Sequence, residues 1–438
     1  MQQIESNTNS YFELKDYTEL YSAIMKFEKN KLEPLHRWYP FVEGYSREFI
    51  QSIINELDYE PQCALDPFVG SGTTPLHLQS LEIPCYSFEV SPFMYFIATT
   101  KLQNDYKAIE FEKNLLSLKK KLNSLCGNDP ILSPPNSSTF VENNKLKKWL
   151  FDKATMDGLL DIKLAIRSID DIIYRNVFNV ALASILLQVS NVYRNGKCVS
   201  YKKNWKERHV SRKEVQEIFL SKLENIIAAD INGVEQNRNS IGIQNLNRIY
   251  NLDCRSGLHM LPDNSVDLLI TSPPYLNSRD YTDIYRLELW MLDLVKSHED
   301  VRSLREKTLI SHVQIKHGKI LAPHVPELNR VIGSILENEA DFWNPEIVNM
   351  INGYFRDLGY VFMWLSRKMK DGSKGYVNVA NSSYFNHEIK VDEILAEIIE
   401  QNGFTVEEIR IARYLNPSAH QTKTQQKLRE SVIVFNNS

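Results

Sequence analysis

The chain has 438 residues, 43% hydrophobic and 24% charged, enough for one large domain with an insertion or for two domains. Lys and Arg total 51 against 55 Asp and Glu, a net charge of −4, so a nucleic-acid surface must be a local patch and not a property of the whole chain. Five cysteines, an odd number without a C-x-x-C pair, argue against a disulfide framework and against a zinc site, and fit a reduced cytoplasm. The amino terminus has no basic start and no apolar core, and no run of about 18 apolar residues is evident, so neither export nor a membrane span is expected.

Residues 1–35 form a polar extension with helical hints and no usable signal. From residue 36 the chain turns aromatic and then helix-periodic, with Phe49, Ile50, Ile53, Ile54 and Leu57 on one face and Ser46 placed as N-cap. A short strand at Cys63–Leu65, the turn DPFVGSGTT, a helix through PLHLQSLE and a second strand, PCYSFEV, open a doubly wound α/β fold. Residues 107–246 read mostly as helices of 3.6-residue period, an inserted helical subdomain. The α/β pattern resumes at RIYNLDC and VDLLITSPPY, and the helix candidate YRLELWMLDLV follows. Residues 297–345 are polar with weak periodicity, an irregular insertion. The remaining chain predicts a helix from PEIVNM, a turn DGSKG, a strand YVNVANS, a helix VDEILAEIIEQNG, a strand TVEEIRIARYL, a basic loop and a last strand ESVIVFN. The sheet is thus built from two parts, 36–106 and 247–438.

The turn ALDPFVGSGTT lacks the lysine of a phosphate loop and the third glycine of a dinucleotide fingerprint. What remains is a tight turn at a helix N-terminus, where main chain can approach a ligand closely. Glu89 ends the second strand, 23 positions after Asp66, where a carboxylate would accept hydrogen bonds from both hydroxyls of a ribose. Asp253 ends the third strand and is placed to accept from an adenine amino group. Together these features suit a nucleoside cofactor without a pyrophosphate.

DPFVGSGTT together with TSPPY resembles the family of S-adenosylmethionine-dependent DNA amino-methyltransferases, which methylate N4 of cytosine or N6 of adenine. The likeness covers roughly residues 36–105 and 247–438. It implies a mostly parallel seven-stranded methyltransferase sheet, S-adenosyl-L-methionine as cofactor, double-stranded DNA as partner and a prokaryotic restriction-modification setting with a cognate restriction endonuclease. It implies cofactor contacts from Asp66, Pro67, Phe68, Gly70, Gly72, Thr73, Glu89 and Asp253. FVEGYSREF resembles the family's segment before the glycine motif, which assigns Tyr45, Ser46 and Phe49 to the methionine end of the cofactor. The glycine motif here precedes S-P-P-Y, whereas many members with DPFxGSGTT have the reverse order, so the target-recognition region is not placed by the likeness.

An exocyclic amine is a poor nucleophile because its lone pair is delocalised into the ring. Two acceptors at its two protons would bend the nitrogen toward tetrahedral geometry, and the motif supplies the Ser272 hydroxyl and the Pro273 carbonyl. Pro273 and Pro274 stiffen the loop, and Tyr275 offers a ring on which an extruded base stacks. No metal and no covalent intermediate is required. Cytosine C5 chemistry needs an attacking cysteine, and Pro84-Cys85 begins a strand elsewhere. The serine form of the motif favours N4 of cytosine. N6 of adenine is the alternative, followed by an RNA methyltransferase of the tRNA guanine-N2 type and a catalytically dead cofactor-binding subunit.

The segment 193–213 mixes basic and aromatic residues, and Arg194, Lys197, Lys202, Lys203, Trp205 and Lys206 are candidate DNA contacts. The loop at 416–429 is a second candidate. His312, His317 and His324 lack cysteines and are not expected to bind metal.

Overall fold

The computed structural model describes residues 11–41, 44–125, 129–194, 199–241, 247–277, 280–316, 318–416 and 427–437. Its strands are β1 (Leu14–Asp16), β2 (Ala64–Asp66), β3 (Cys85–Phe88), β4 (Val192–Arg194), β5 (Val199–Tyr201), β6 (Arg248–Tyr250), β7 (Val266–Thr271), β8 (Met369–Ala380), β9 (Ser382–Tyr384), β10 (His387–Ile389), β11 (Phe404–Leu415) and β12 (Leu428–Asn437). The central sheet runs β1-β11-β12-β8-β7-β2-β3-β6. β12 is antiparallel to both neighbours, and every other pair is parallel.

The sheet is therefore α/β and mostly parallel, with eight strands where seven were expected. The additional strand is β1, which lies in the polar extension. Leu14 pairs with Ile409, and Lys15 reaches Glu408 at 2.6 Å. Three residues of mixed polarity carry too little alternation to be read as a strand. By contrast β7 is buried at all six positions, the near-continuous apolar run that a central parallel strand requires.

Helices flank the sheet, among them Arg47–Glu56, Thr73–Ser80, Pro92–Leu102, Ile347–Lys368 and Val391–Gln401. The inserted region holds Ala108–Leu125, Lys153–Arg167, Ile172–Val189 and Arg212–Lys222, the last continuing through a π-turn into Ala228–Ile241. Residues 145–150 are not helical, and β4 and β5 form an antiparallel hairpin. The insertion shares one core with the sheet-side helix: Phe93 and Ile97 pack in the same cluster as Leu159, Phe178, Leu186 and Phe219. Helix Ile172–Val189 is, by length and composition, apolar enough to cross a membrane, although Arg175, Asn176 and Asn179 interrupt its apolar run. It is mostly buried in the protein and packs on several sides, which explains its apolar circumference.

The stretch 297–345 is also more regular than expected, with helices His298–Lys307 and Pro326–Leu336. HEDVRSLREK has few apolar residues, so its helix depends on termini instead of an apolar stripe. Ser297 and Asp300 form a capping box, and Arg305 pairs with Asp280 and Asp283.

Candidate active site

At the carboxyl ends of β2, β3, β6 and β7 lies a cavity of about 1030 Å³. Such ends are where open α/β sheets bind ligands. Asp66, Pro67, Phe68, Gly70, Thr73, Glu89, Asp253 and Tyr45 line it, and so do Ser272, Pro273, Pro274 and Tyr275. Three expected cofactor contacts do not. Phe49 is fully buried and packs against Tyr21 and Tyr45. Ser46 is fully buried at the N-cap of helix Arg47–Glu56 and makes no side-chain cap bond. Gly72 shapes the turn from behind.

The turn needs its glycines for two distinct reasons. Gly70 has φ +51°, and a Cβ there would press on the Phe41 ring at 3.2 Å. Gly72 has φ +87°, and a Cβ there would meet the Ala98 Cβ at 3.0 Å. Asp66 locks the start of the turn, accepting from Phe68 N at 3.1 Å and from the Thr271 hydroxyl at 2.7 Å. Burial pushes its carboxyl up to about 6. Glu89 accepts from Gly70 N at 2.9 Å and Ser91 N at 2.8 Å, so it holds the turn as well as facing the cavity. Burial pushes it up to about 7, against the pull of those two amides. The Tyr45 hydroxyl meets Thr74 Oγ1 at 2.6 Å.

Asp253 caps the short helix Cys254–Gly257 and chelates Arg255 through both oxygens. Arg255 also pairs with Asp357 and donates to the carbonyls of Lys307 and Thr308, each at 3.2 Å. The 297–345 stretch is thereby tied to the strand end, and Leu309, Ser311 and His312 complete this wall of the cavity.

On the opposite wall, Tyr275 donates its hydroxyl to Glu430 Oε1 at 2.7 Å. Asn378 Nδ2 donates to the Tyr275 oxygen at 2.6 Å and to Glu430 Oε1 at 3.1 Å, and Arg413 binds the other Glu430 oxygen. Burial first, then the Glu430 charge, hold the Tyr275 phenol well above its ordinary range. Asn378, Arg413 and Glu430 all line the cavity, and none was singled out from the sequence. They lie on β8, β11 and β12, far along the chain from Tyr275. A polar residue inside each strand was the available signal.

The basic segment divides. Arg194 is buried against Glu288 at 2.5 Å, with further bonds to the Tyr39 hydroxyl at 3.0 Å and Ile284 O at 3.1 Å, and it stacks on Tyr285. Lys202 donates to Leu187 O at 2.7 Å, Gln188 O at 3.1 Å and Ser190 O at 2.6 Å, closing the end of helix Ile172–Val189, and burial pushes it down to about 8. Both side chains are engaged within the protein, Arg194 where it also lines the cavity and Lys202 at a half-buried position. Lys203 and Lys206 are exposed, and Trp205 packs against Trp149 and Tyr201, each at 4.9 Å. Lys197 and residues 417–426 of the second candidate loop lie outside the described residues, as does His317. Among the described residues no group of three or more His, Cys, Asp or Glu side chains could hold a metal ion.

No family model matches the chain. Its sequence is 26% identical to the type II methyltransferase M.BsoBI of Geobacillus stearothermophilus over 445 aligned positions, spanning 90% of this chain and 83% of that protein. The chain is similar to type II methyltransferases. The likeness extends to the type II methyltransferase M.AvaI of Nostoc sp., 26% identical over 411 positions, 89% of this chain and 83% of that one. Among solved structures, a SAM-dependent methyltransferase of Methanosarcina mazei overlaps with a TM-score of 0.29 at 8% identity, covering 88% of this chain and 96% of that one. The rRNA methyltransferase aviRa of Streptomyces viridochromogenes does so with 0.27 at 9% identity, covering 91% and 84%. Overlaps this slight carry no argument, and the fold rests on the strand order itself.

The donor set fits S-adenosylmethionine. A glycine turn presents main-chain amides at the start of helix Thr73–Ser80, one acid stands at the end of β3, and a second stands beyond β6. Neither the lysine nor the third glycine that a pyrophosphate would call for is present.

Proposed function

We propose that the protein is a site-specific DNA methyltransferase that moves a methyl group from S-adenosylmethionine to the exocyclic N4 of a cytosine flipped out of duplex DNA. It would be the modification half of a restriction-modification pair, sharing its site with a cognate endonuclease. The observation that carries this reading is the meeting of Ser272-Pro273-Pro274-Tyr275 with the glycine turn and Glu89 in one cavity. Its likeness to type II methyltransferases supports DNA as the substrate.

The cofactor supplies an electrophilic methyl group on a sulfonium sulfur. Ser272 Oγ and the Pro273 carbonyl accept the two amine protons and direct the nitrogen lone pair. The prolines fix the backbone that carries both acceptors, so little freedom is lost when the base arrives. Tyr275 stacks against the base, worth on the order of 1–3 kcal/mol, and its hydroxyl anchors the ring to Glu430. The cavity lies at the upper end of the range of roughly 300–1,000 Å³ seen for small-molecule sites, which suits a cofactor and a base together. Serine, and not an acid or amide, at position 272 supports cytosine over adenine.

Incubation with tritiated S-adenosylmethionine and a mixture of duplex DNA and RNA tests the substrate class. Label is expected in DNA; label confined to RNA contradicts the reading.

A further inference from the structure

Tyr275 is half-buried in the cavity wall, and its hydroxyl ends on Glu430, whose side chain is 1% exposed. Three donors from three elements converge on that carboxylate: the Tyr275 hydroxyl and Asn378 Nδ2 on Oε1, at 2.7 and 3.1 Å, and Arg413 on Oε2. Asn378 Nδ2 also donates to the Tyr275 oxygen at 2.6 Å, so the phenol is held from two sides. The amide cannot be turned over, because its oxygen would then face the carboxylate.

Sheet register accounts for the convergence. β12 sets Glu430 opposite Ala380 of β8, and Asn378 is the next residue on that face, a diagonal neighbour of the acid. On the other side β11 sets Ile411 opposite Ser431 and then skips one residue, so that Arg413 and not Ala412 stands opposite Glu430. A bulge of this kind re-aims a side chain, and without it the buried carboxylate would face a methyl group. Sheet packing alone does not call for such an acid, since an apolar side chain of similar volume would avoid the cost of taking a charge out of water.

We propose that Glu430 is a positioning residue that sets the tilt of the Tyr275 ring for the target base, with Asn378 and the bulge-borne Arg413 holding the acid in place. The inference rests on the reading of Tyr275 as the stacking face and of Ser272 and Pro273 as the acceptors of the target amine. A ring tethered only at its Cβ is free to turn about two torsions, and a base stacked on it would turn as well. With the phenol oxygen held from two sides the ring keeps one tilt, and the amine of the stacked base comes to Ser272 and Pro273 at one angle. Transfer requires the nitrogen lone pair to line up with the sulfonium methyl group. Loss of the tether therefore shows in the rate of transfer more than in affinity, because a misplacement of about 1 Å can slow a reaction on the order of 10²-fold.

Transfer of tritiated methyl from saturating S-adenosylmethionine to genomic duplex DNA gives kcat and KM for the duplex in Tyr275→Phe, Glu430→Met and the double variant, with cofactor affinity followed by calorimetry. Tyr275→Phe keeps the stacking face and removes the tether. Glu430→Met keeps the side-chain length and removes both acceptor oxygens. Each single variant is expected to bind cofactor as the wild type does, to keep KM within about threefold and to lose on the order of 10²-fold in kcat. Both remove the same tether, so the double variant should be no slower than the slower single one, whereas independent losses would multiply to about 10⁴-fold. Glu430→Gln, which still offers the phenol an oxygen, should recover about tenfold over Glu430→Met. Losses that multiply, a wild-type kcat in Tyr275→Phe, or equal rates in the Gln and Met variants would overturn the positioning role alone. If Glu430→Met does not fold, the kcat of Tyr275→Phe decides. A wild type that transfers no label to duplex DNA would overturn the methyltransferase reading and the positioning role with it.

Discussion

In the proposed reaction Ser272 and Glu89 do opposite jobs with similar means, one preparing a nucleophile and the other holding a donor. Ser272→Ala should leave cofactor affinity unchanged and slow transfer on the order of 10²-fold, as when one preorganised hydrogen-bonding group is removed. Full activity in that variant would remove the hydroxyl from the account. For Glu89, burial pushes the carboxyl up to about 7, so a large fraction is protonated at neutral pH without ligand. Accepting from two ribose hydroxyls needs the ionised form, so cofactor affinity should rise as pH climbs from about 6 to about 8. Calorimetry should find that slope in the wild type and a flat, weaker profile in Glu89→Gln. The residues of the two motifs were legible because their chemistry is contiguous in the chain. Asn378, Arg413 and Glu430 were not, because only the order β11-β12-β8-β7 brings them to Tyr275. The partners of Arg194 and Lys202 were hidden for the same reason: a basic residue in a polar string looks solvated until Glu288 and the last carbonyls of a helix are seen to engage it.

Among the elements, the β4–β5 hairpin and the segment after it remain the best-defined candidate for gripping DNA, now through fewer side chains. Lys203 and Lys206 are exposed beside the packed cluster of Trp149, Tyr201 and Trp205. Each lysine changed to Ala should weaken duplex binding about equally for all sequences and lower the slope of log affinity against log salt by about 1. An unchanged slope in the double variant would place the DNA elsewhere. Long helices of the insertion were readable from their period, whereas His298–Lys307 was not, since a capping box and ion pairs stand in for an apolar face. The three-residue β1 was invisible because its partner, β11, lies near the other end of the chain.

Across the whole molecule, the first residues are as much part of the site as the motifs. β1 extends the sheet, Tyr21 meets Arg410 Nη1 at 2.7 Å, and Met25, Lys26, Phe27 and Glu28 line the cavity. Tyr21 and Met25 are buried, and side chains of that size stabilise by roughly 1.5–3 kcal/mol each when fully covered. Deleting residues 1–34 should therefore lower the melting temperature and abolish cofactor binding; a truncated protein that binds cofactor normally would contradict this wall of the cavity. The proposed choice of cytosine, finally, would depend on the fit of a whole base between Ser272 and Tyr275. The most direct test is to incubate the protein with labelled S-adenosylmethionine and mixed genomic DNA, digest to nucleosides and identify the one that carries label. N4-methylcytosine is the predicted product, and label found only in N6-methyladenine would contradict it.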